Sequence, residues 1–121
     1  MRATWFEIPV NDMERAKKFY ETIFNIPMGE NMDFGNSIMS FFPFDPDASG
    51  ATGTLIKQES YVPSSEGALV YFAVKEINDV TPRIETAGGK VINEKMSIGE
   101  HGFVAHFEDS EGNRVALHQG S

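Results

Sequence analysis

An internal repeat limits what this 121-residue chain can fold into. Ile77, Val80, Ile84 and Ala87 each stand 64 residues after Met13, Ala16, Tyr20 and Ile23. Both sets keep the three-and-four spacing that puts apolar side chains on one helical face. The correspondence continues outside the helices: Leu69 to Val74 lies under Trp5 to Val10, Met96 under Met32, and Asp109-Ser110-Glu111 under Asp45-Pro46-Asp47. Chance among apolar patterns is the competing explanation. Otherwise the chain is two similar modules, each a strand, a helix and three further strands.

In the first module the strands are predicted at Trp5 to Val10, Met32 to Gly35, Ile38 to Phe42 and Thr52 to Lys57. In the second they are Leu69 to Val74, Val91 to Glu94, Phe103 to Phe107 and Arg114 to His118. Asn11 with Glu14 reads as a capping box for the first helix, which Asn25 and Pro27 end. Gly88-Gly89 closes the second helix. Pro82 conflicts with a helix already running from Asn78, because it lacks a backbone donor. Either Thr81 caps a shorter helix, or a 3₁₀ first turn kinks into the rest. The expected organisation is one α+β domain over residues 1–121. Module 1 covers about 1–58, a polar linker 59–67, and module 2 about 68–119.

Charge and composition exclude several classes of function. A net charge of -8, with ten Lys and Arg and no basic run, argues against nucleic acid as a partner. The absence of cysteine removes disulfides, zinc-thiolate sites and thiol nucleophiles. No apolar run has membrane-spanning length, and the amino end enters a strand without a signal-peptide core, so a cytoplasmic protein is expected.

Alternation along the strands says which side chains meet. If the modules pack edge to edge with the helices outside, Phe6, Ile8 and Val10 turn to the helices, as do Val70, Phe72 and Val74. The opposite faces form a cup lined by Trp5, Glu7, Leu69, Tyr71, Ala73, Val104, His106, Arg114, Ala116 and His118, joined by Thr52, Thr54 and Ile56. A solvent-facing sheet would have a similar mixture. Glu7 is expected to pair with Arg114 or a histidine, since an inward carboxylate needs a partner.

The motifs Phe6-Glu7-Ile8-Pro9-Val10-Asn11-Asp12, Ala16 to Phe19-Tyr20, Gly88-Gly89 and Asp109-Ser110-Glu111-Gly112-Asn113-Arg114 together resemble the vicinal oxygen chelate superfamily of glyoxalases, bleomycin and fosfomycin resistance proteins and extradiol dioxygenases. The resemblance covers nearly the whole chain and implies two tandem βαβββ modules forming a cupped mixed sheet with helices outside. It further implies a homodimer.

Metal-using members of that superfamily hold a divalent ion with four inward side chains. Carried over, those positions fall on Trp5, Leu69, Thr54 (or Thr52) and Ala116, which offer no good ligand. No cofactor is therefore expected, nor ordinary metal-dependent glyoxalase I activity. A displaced divalent-metal site on Glu7, His106 and His118 is the fallback.

The leading expectation is a glyoxalase/bleomycin-resistance-like protein that binds a small aromatic or amphipathic molecule in the cup. The alternative is a lyase or isomerase using Glu7 with His106 or His118 as acid/base groups or metal ligands. A third reading is a dimerisation module with a filled cup. His101 and the loop Tyr61 to Gly67 are candidate lid residues.

Overall fold

The computed structural model describes residues Met1–Ser121. Strand β1 (Trp5–Pro9) leads to helix α1 (Met13–Phe24) and then to strands β2 (Met32–Asp33), β3 (Ser37–Phe41) and β4 (Thr52–Gln58). The second module repeats the order with β5 (Tyr71–Ala73), α2 (Ile77–Thr86), β6 (Lys90–Ser97), β7 (Phe103–Glu108) and β8 (Arg114–Gln119). Each module is one four-stranded mixed sheet, ordered β1-β4-β3-β2 and β5-β8-β7-β6. In each, the first strand runs parallel to the last and the remaining pairs are antiparallel. The two βαβββ modules expected from the repeat are therefore present.

Alternation on β1 buries Ile8 and leaves Trp5 and Glu7 exposed. On α1 the buried stripe is Met13, Ala16, Phe19, Tyr20 and Ile23. The apolar faces of both helices and both sheets fuse into one core containing Tyr20, Leu55, Ile84, Phe107 and Leu117. Strands β1 and β5 are edge strands of separate sheets, and their side chains meet where the Phe6 ring packs edge to face on Phe72 at 5.6 Å. That contact marks the seam between the modules.

Several local expectations change or are decided between alternatives. Asp12, not Asn11, caps α1, its carboxylate accepting from Arg15 N. The Asn11 N–H is instead satisfied by Glu111, which frees that position from capping. Helix α2 begins at Ile77 under a Glu76 cap and passes through Pro82 without a Thr81 cap. A 3₁₀-type bond from Asp79 N to Glu76 O tightens its first turn. At its end Gly88 takes φ 107°, and the bonds from Gly89 N to Ile84 O and Gly88 N to Glu85 O close a Schellman motif. Strand β5 is shorter than Leu69 to Val74, so Leu69 lies outside it, half-buried. The β2 ladder stops at Asp33 because that carboxylate turns back onto Gly35 N.

The turn from Asp109 to Asn113 locks the modules together. Glu111 accepts from the backbone N–H of Asn11 and Asp12 at 2.9 and 2.8 Å, and Arg15 Nε donates to it at 2.7 Å. Burial alone would raise the Glu111 carboxyl, but these donors outweigh it and hold the group below the usual carboxylate range. Tyr20 donates its hydroxyl to Asp109 at 2.6 Å. Burial, then the Asp109 charge, lifts the phenol far above its ordinary value, so it stays a donor. Asn113 Nδ2 reaches back to the Pro9 carbonyl at 2.7 Å. The matching first-module turn around Asp45 to Asp47 is exposed and makes no such contacts with the other module.

Candidate functional site

On the cup face of the second sheet, the register places Tyr71, Ala116, His106 and Asn93 in one row across β5, β8, β7 and β6. Ala116 is small enough to let its neighbours meet above it. The Tyr71 hydroxyl is 3.2 Å from His106 Nε2, and Asn93 Nδ2 is 3.0 Å from His106 Nδ1. Arg114 Nη2 also approaches Nδ1, at 3.4 Å. A guanidinium only donates, so Nδ1 is the acceptor and Nε2 carries the proton that points to Tyr71. Burial, and then the Arg114 charge, lowers the His106 pKa below its ordinary value, consistent with a neutral ring. Tyr71 thus accepts from His106 and keeps its own O–H free to donate.

The first sheet has an aromatic corner instead. Trp5 and Phe41 meet edge to face, with centroids 5.1 Å apart and planes at 77°. The indole N–H donates to Glu7 Oε2 at 3.3 Å. Glu7 does not pair with Arg114 or a histidine, contrary to the sequence expectation: it makes no ion pair, because Arg114 is turned toward His106. Glu7 and Arg114 do line one recess of about 150 Å³ at the β1 end of the seam, together with Glu66 and Ser64.

A larger cavity, about 690 Å³, opens at the other end of the seam. Phe6, Phe24, Phe42 and Phe72 line it, with Tyr71 and Phe44 also in its wall. Polar groups enter from α2 and its cap (Glu76, Asp79, Arg83), from Lys75, and from the loop between Pro43 and Thr52. Tyr71 therefore belongs both to this cavity and to the His106 row.

The family model described as Glyoxalase/Bleomycin resistance protein/Dioxygenase superfamily matches residues 2–117. The chain belongs to that superfamily. A glyoxylase-like domain-containing protein of Didymella fabae is 32% identical over 114 residues, covering 92% of this chain and 88% of that one. Among solved structures, a mutant of glyoxalase I from Zea mays superposes with a TM-score of 0.75 at 20% identity, covering 96% of this chain and 45% of the maize chain. The chain thus spans about half the length of that enzyme. TnmS3, an antibiotic-binding protein from Streptomyces sp., superposes with a TM-score of 0.72 at 21% identity, covering 100% of this chain and 97% of that one. At these identities the two structures share a fold with this chain.

The positions that the resemblance assigns to the usual metal box are Trp5, Leu69, Thr54 (or Thr52) and Ala116. Thr54 and Ala116 are wholly buried, and the only side-chain oxygen of the set, Thr54 Oγ1, has no hydrogen-bond partner. One neutral hydroxyl does not make a divalent-metal site, so these residues do not fit the group. The fallback set does not converge either, since no cluster of three His, Asp or Glu side chains has metal-holding geometry. Glu7 is engaged by Trp5 and His106 by Tyr71 and Asn93, while His118 Nε2 donates to the His101 carbonyl at 2.7 Å. No helix is long and apolar enough to cross a membrane.

Of the predicted lining residues, Thr52, Tyr71 and Ala73 line the large cavity, and Glu7 and Arg114 line the small recess. His106 bonds to Tyr71 and approaches Arg114, thereby joining the two. Trp5 roofs the first sheet, Val104 and Ala116 are buried floor, and Leu69 lines neither opening. Sequence reasoning missed Asn93, because register shifts in β6 on either side of it break the alternation. It also placed Phe6 and Phe72 in the core alone, although at the seam they serve the core and the cavity at once.

Proposed function

We propose that this superfamily member binds a small aromatic or amphipathic molecule in the cleft between β1 and β5, without the superfamily's four-residue metal box. The observation that carries the reading is the cavity of about 690 Å³ walled by phenylalanines, with Tyr71 and a few charged groups at its margin. Its size falls in the range of small-molecule sites, and its mix of apolar wall and sparse polar groups is the usual composition of such sites. The shared fold with a protein named for antibiotic binding is consistent with this use. Two copies would pair across the open cup faces, where Trp5, Met32, Tyr71 and Met96 are exposed, and sedimentation would read a dimer.

Calorimetric titration with neutral 2-naphthol tests the cleft. Ala73 lines the cavity and is exposed, so Ala73→Trp fills space without disturbing the core. Binding should weaken at least tenfold in that variant with its circular dichroism unchanged. Equal affinity in both proteins would place the ligand elsewhere.

A second reading, a lyase or isomerase, is supported by the Tyr71–His106 hydrogen bond. With the His106 Nε2–H donating to its oxygen, the Tyr71 hydroxyl is free to give its own proton to a bound molecule, and the imidazole N–H would stabilise the phenolate left behind. In that reading Tyr71 and His106 replace the expected pairing of Glu7 with a histidine, and Tyr71→Phe would abolish turnover while retaining binding.

A further inference from the structure

We propose that the first sheet carries a recognition site for an organic cation, an ammonium or guanidinium borne on the molecule that enters the cleft, with Glu7 as its counter-ion and Trp5 as a displaceable roof. The inference rests on the cleft-binding reading above and names the charge of the ligand.

The geometry begins with strand order. Strand β4 lies between β1 and β3, so the contact of Trp5 with Phe41 must bridge over β4. The cup-face residues of β4 beneath that bridge are Thr52 and Thr54, aligned with Trp5 and Glu7 in register, and Thr54 is also opposite Phe41. Both threonine hydroxyls are buried and lack any hydrogen-bond partner, and Thr54 is 0% exposed. Buried polar atoms are normally satisfied, and two orphans side by side under one movable ring mark a place where a polar group belongs. Thr52 also lines the large cavity, so the corner borders the cleft at that residue.

Glu7 supplies the sign of that group. Its carboxylate has no cationic partner and holds only the indole N–H, at a long 3.3 Å. Neighbouring charge does not compensate it. The adjoining recess contains Glu7 and Glu66 against Arg114, and Arg114 faces His106. A ligand N⁺–H would make a shorter, charge-assisted bond to Glu7 than the indole does. Release of the indole would uncover the two hydroxyls as further acceptors and offer the Trp5 and Phe41 faces to the cation. The net charge of -8 favours the approach of a cation from solution.

Trp5 is the sole tryptophan, so its emission reports on the corner directly. The probes are phenylpropylamine, cationic at pH 7, and phenylpropanol, its neutral isostere. The amine should bind at least tenfold tighter and shift the Trp5 emission. In Glu7→Gln, which keeps an acceptor for the indole, the amine's preference over phenylpropanol should fall to less than threefold. Equal binding of both probes to the native protein would overturn the cation site and leave the cleft reading standing. An amine preference that survives Glu7→Gln would also overturn it, while failure of both probes to bind would count against both readings.

Discussion

Tyr71 and His106 meet across Ala116, hydroxyl to Nε2 at 3.2 Å, and through that bond the cavity at the seam is linked to the polar row of the second sheet. The bond depends on a small residue standing between two large ones. Any larger side chain at position 116 would separate them.

Ala116→Val should therefore break the Tyr71–His106 contact. Ala116 is fully buried, so overpacking adds a stability cost of about 1–3 kcal/mol. Chemical denaturation measures the cost, and the His106 ring resonances report the lost bond.

The titration of His106 follows from its surroundings. Its folded pKa is lowered by burial and then by Arg114, so the folded protein takes up this proton at lower pH than the unfolded chain. That contribution to stability is complete above the unfolded value of about 6.5 and is lost as pH falls below it toward the folded pKa. Arg114→Gln should raise the folded pKa toward the ordinary value, as read by NMR titration of the ring.

Glu111 stabilises the clasp between modules. Glu111→Gln retains an acceptor but removes the charge facing Arg15 and the start of α1. Arg15 is 54% exposed, which screens its part, so the expected loss is about 2 kcal/mol. Because the folded pKa of Glu111 is depressed, its stabilisation is present above about pH 4.5 and disappears as pH falls through the folded value. Asp109, raised by burial, contributes with the opposite sign. Urea melts between pH 3 and pH 7 should show a flatter acid limb in the variant.

Gly53 allows β1 to lie against β4. A Cβ there would meet the Phe6 carbonyl oxygen, and the Phe6 ring at 2.6 Å. Gly53→Ala should thus cost about 1–3 kcal/mol and shift the Phe6–Phe72 contact at the seam. A lowered melting temperature together with weaker 2-naphthol binding is the expected result.

Thr54→Val exchanges a buried, unpartnered hydroxyl for a methyl group of similar volume. It should stabilise the protein by about 1 kcal/mol, seen as a melting temperature several degrees higher.

The repeat, the helices and the inward faces of β1 and β5 were legible because helical and strand periodicities are local properties of the chain. Trp5 and Glu7 are exposed and Ile8 is buried, as alternation requires. Asn93 was not legible, because the bulges beside it erase the period of two. The partner of Glu7 was misread for a different reason. Both Arg114 and Trp5 were within the sequence's reach, and the choice between them depends on the direction Arg114 takes once His106 is beside it.

By itself the sequence determined the modules and their faces, because the spacing of apolar residues along a helix or strand fixes which side each one takes. Only the tertiary structure decided that the modules meet along β1 and β5 without a ladder, leaving a cavity there, and that Trp5 reaches over β4 to Phe41. Those relations join residues far apart in the chain. They are set by how two finished sheets pack, which no local pattern encodes.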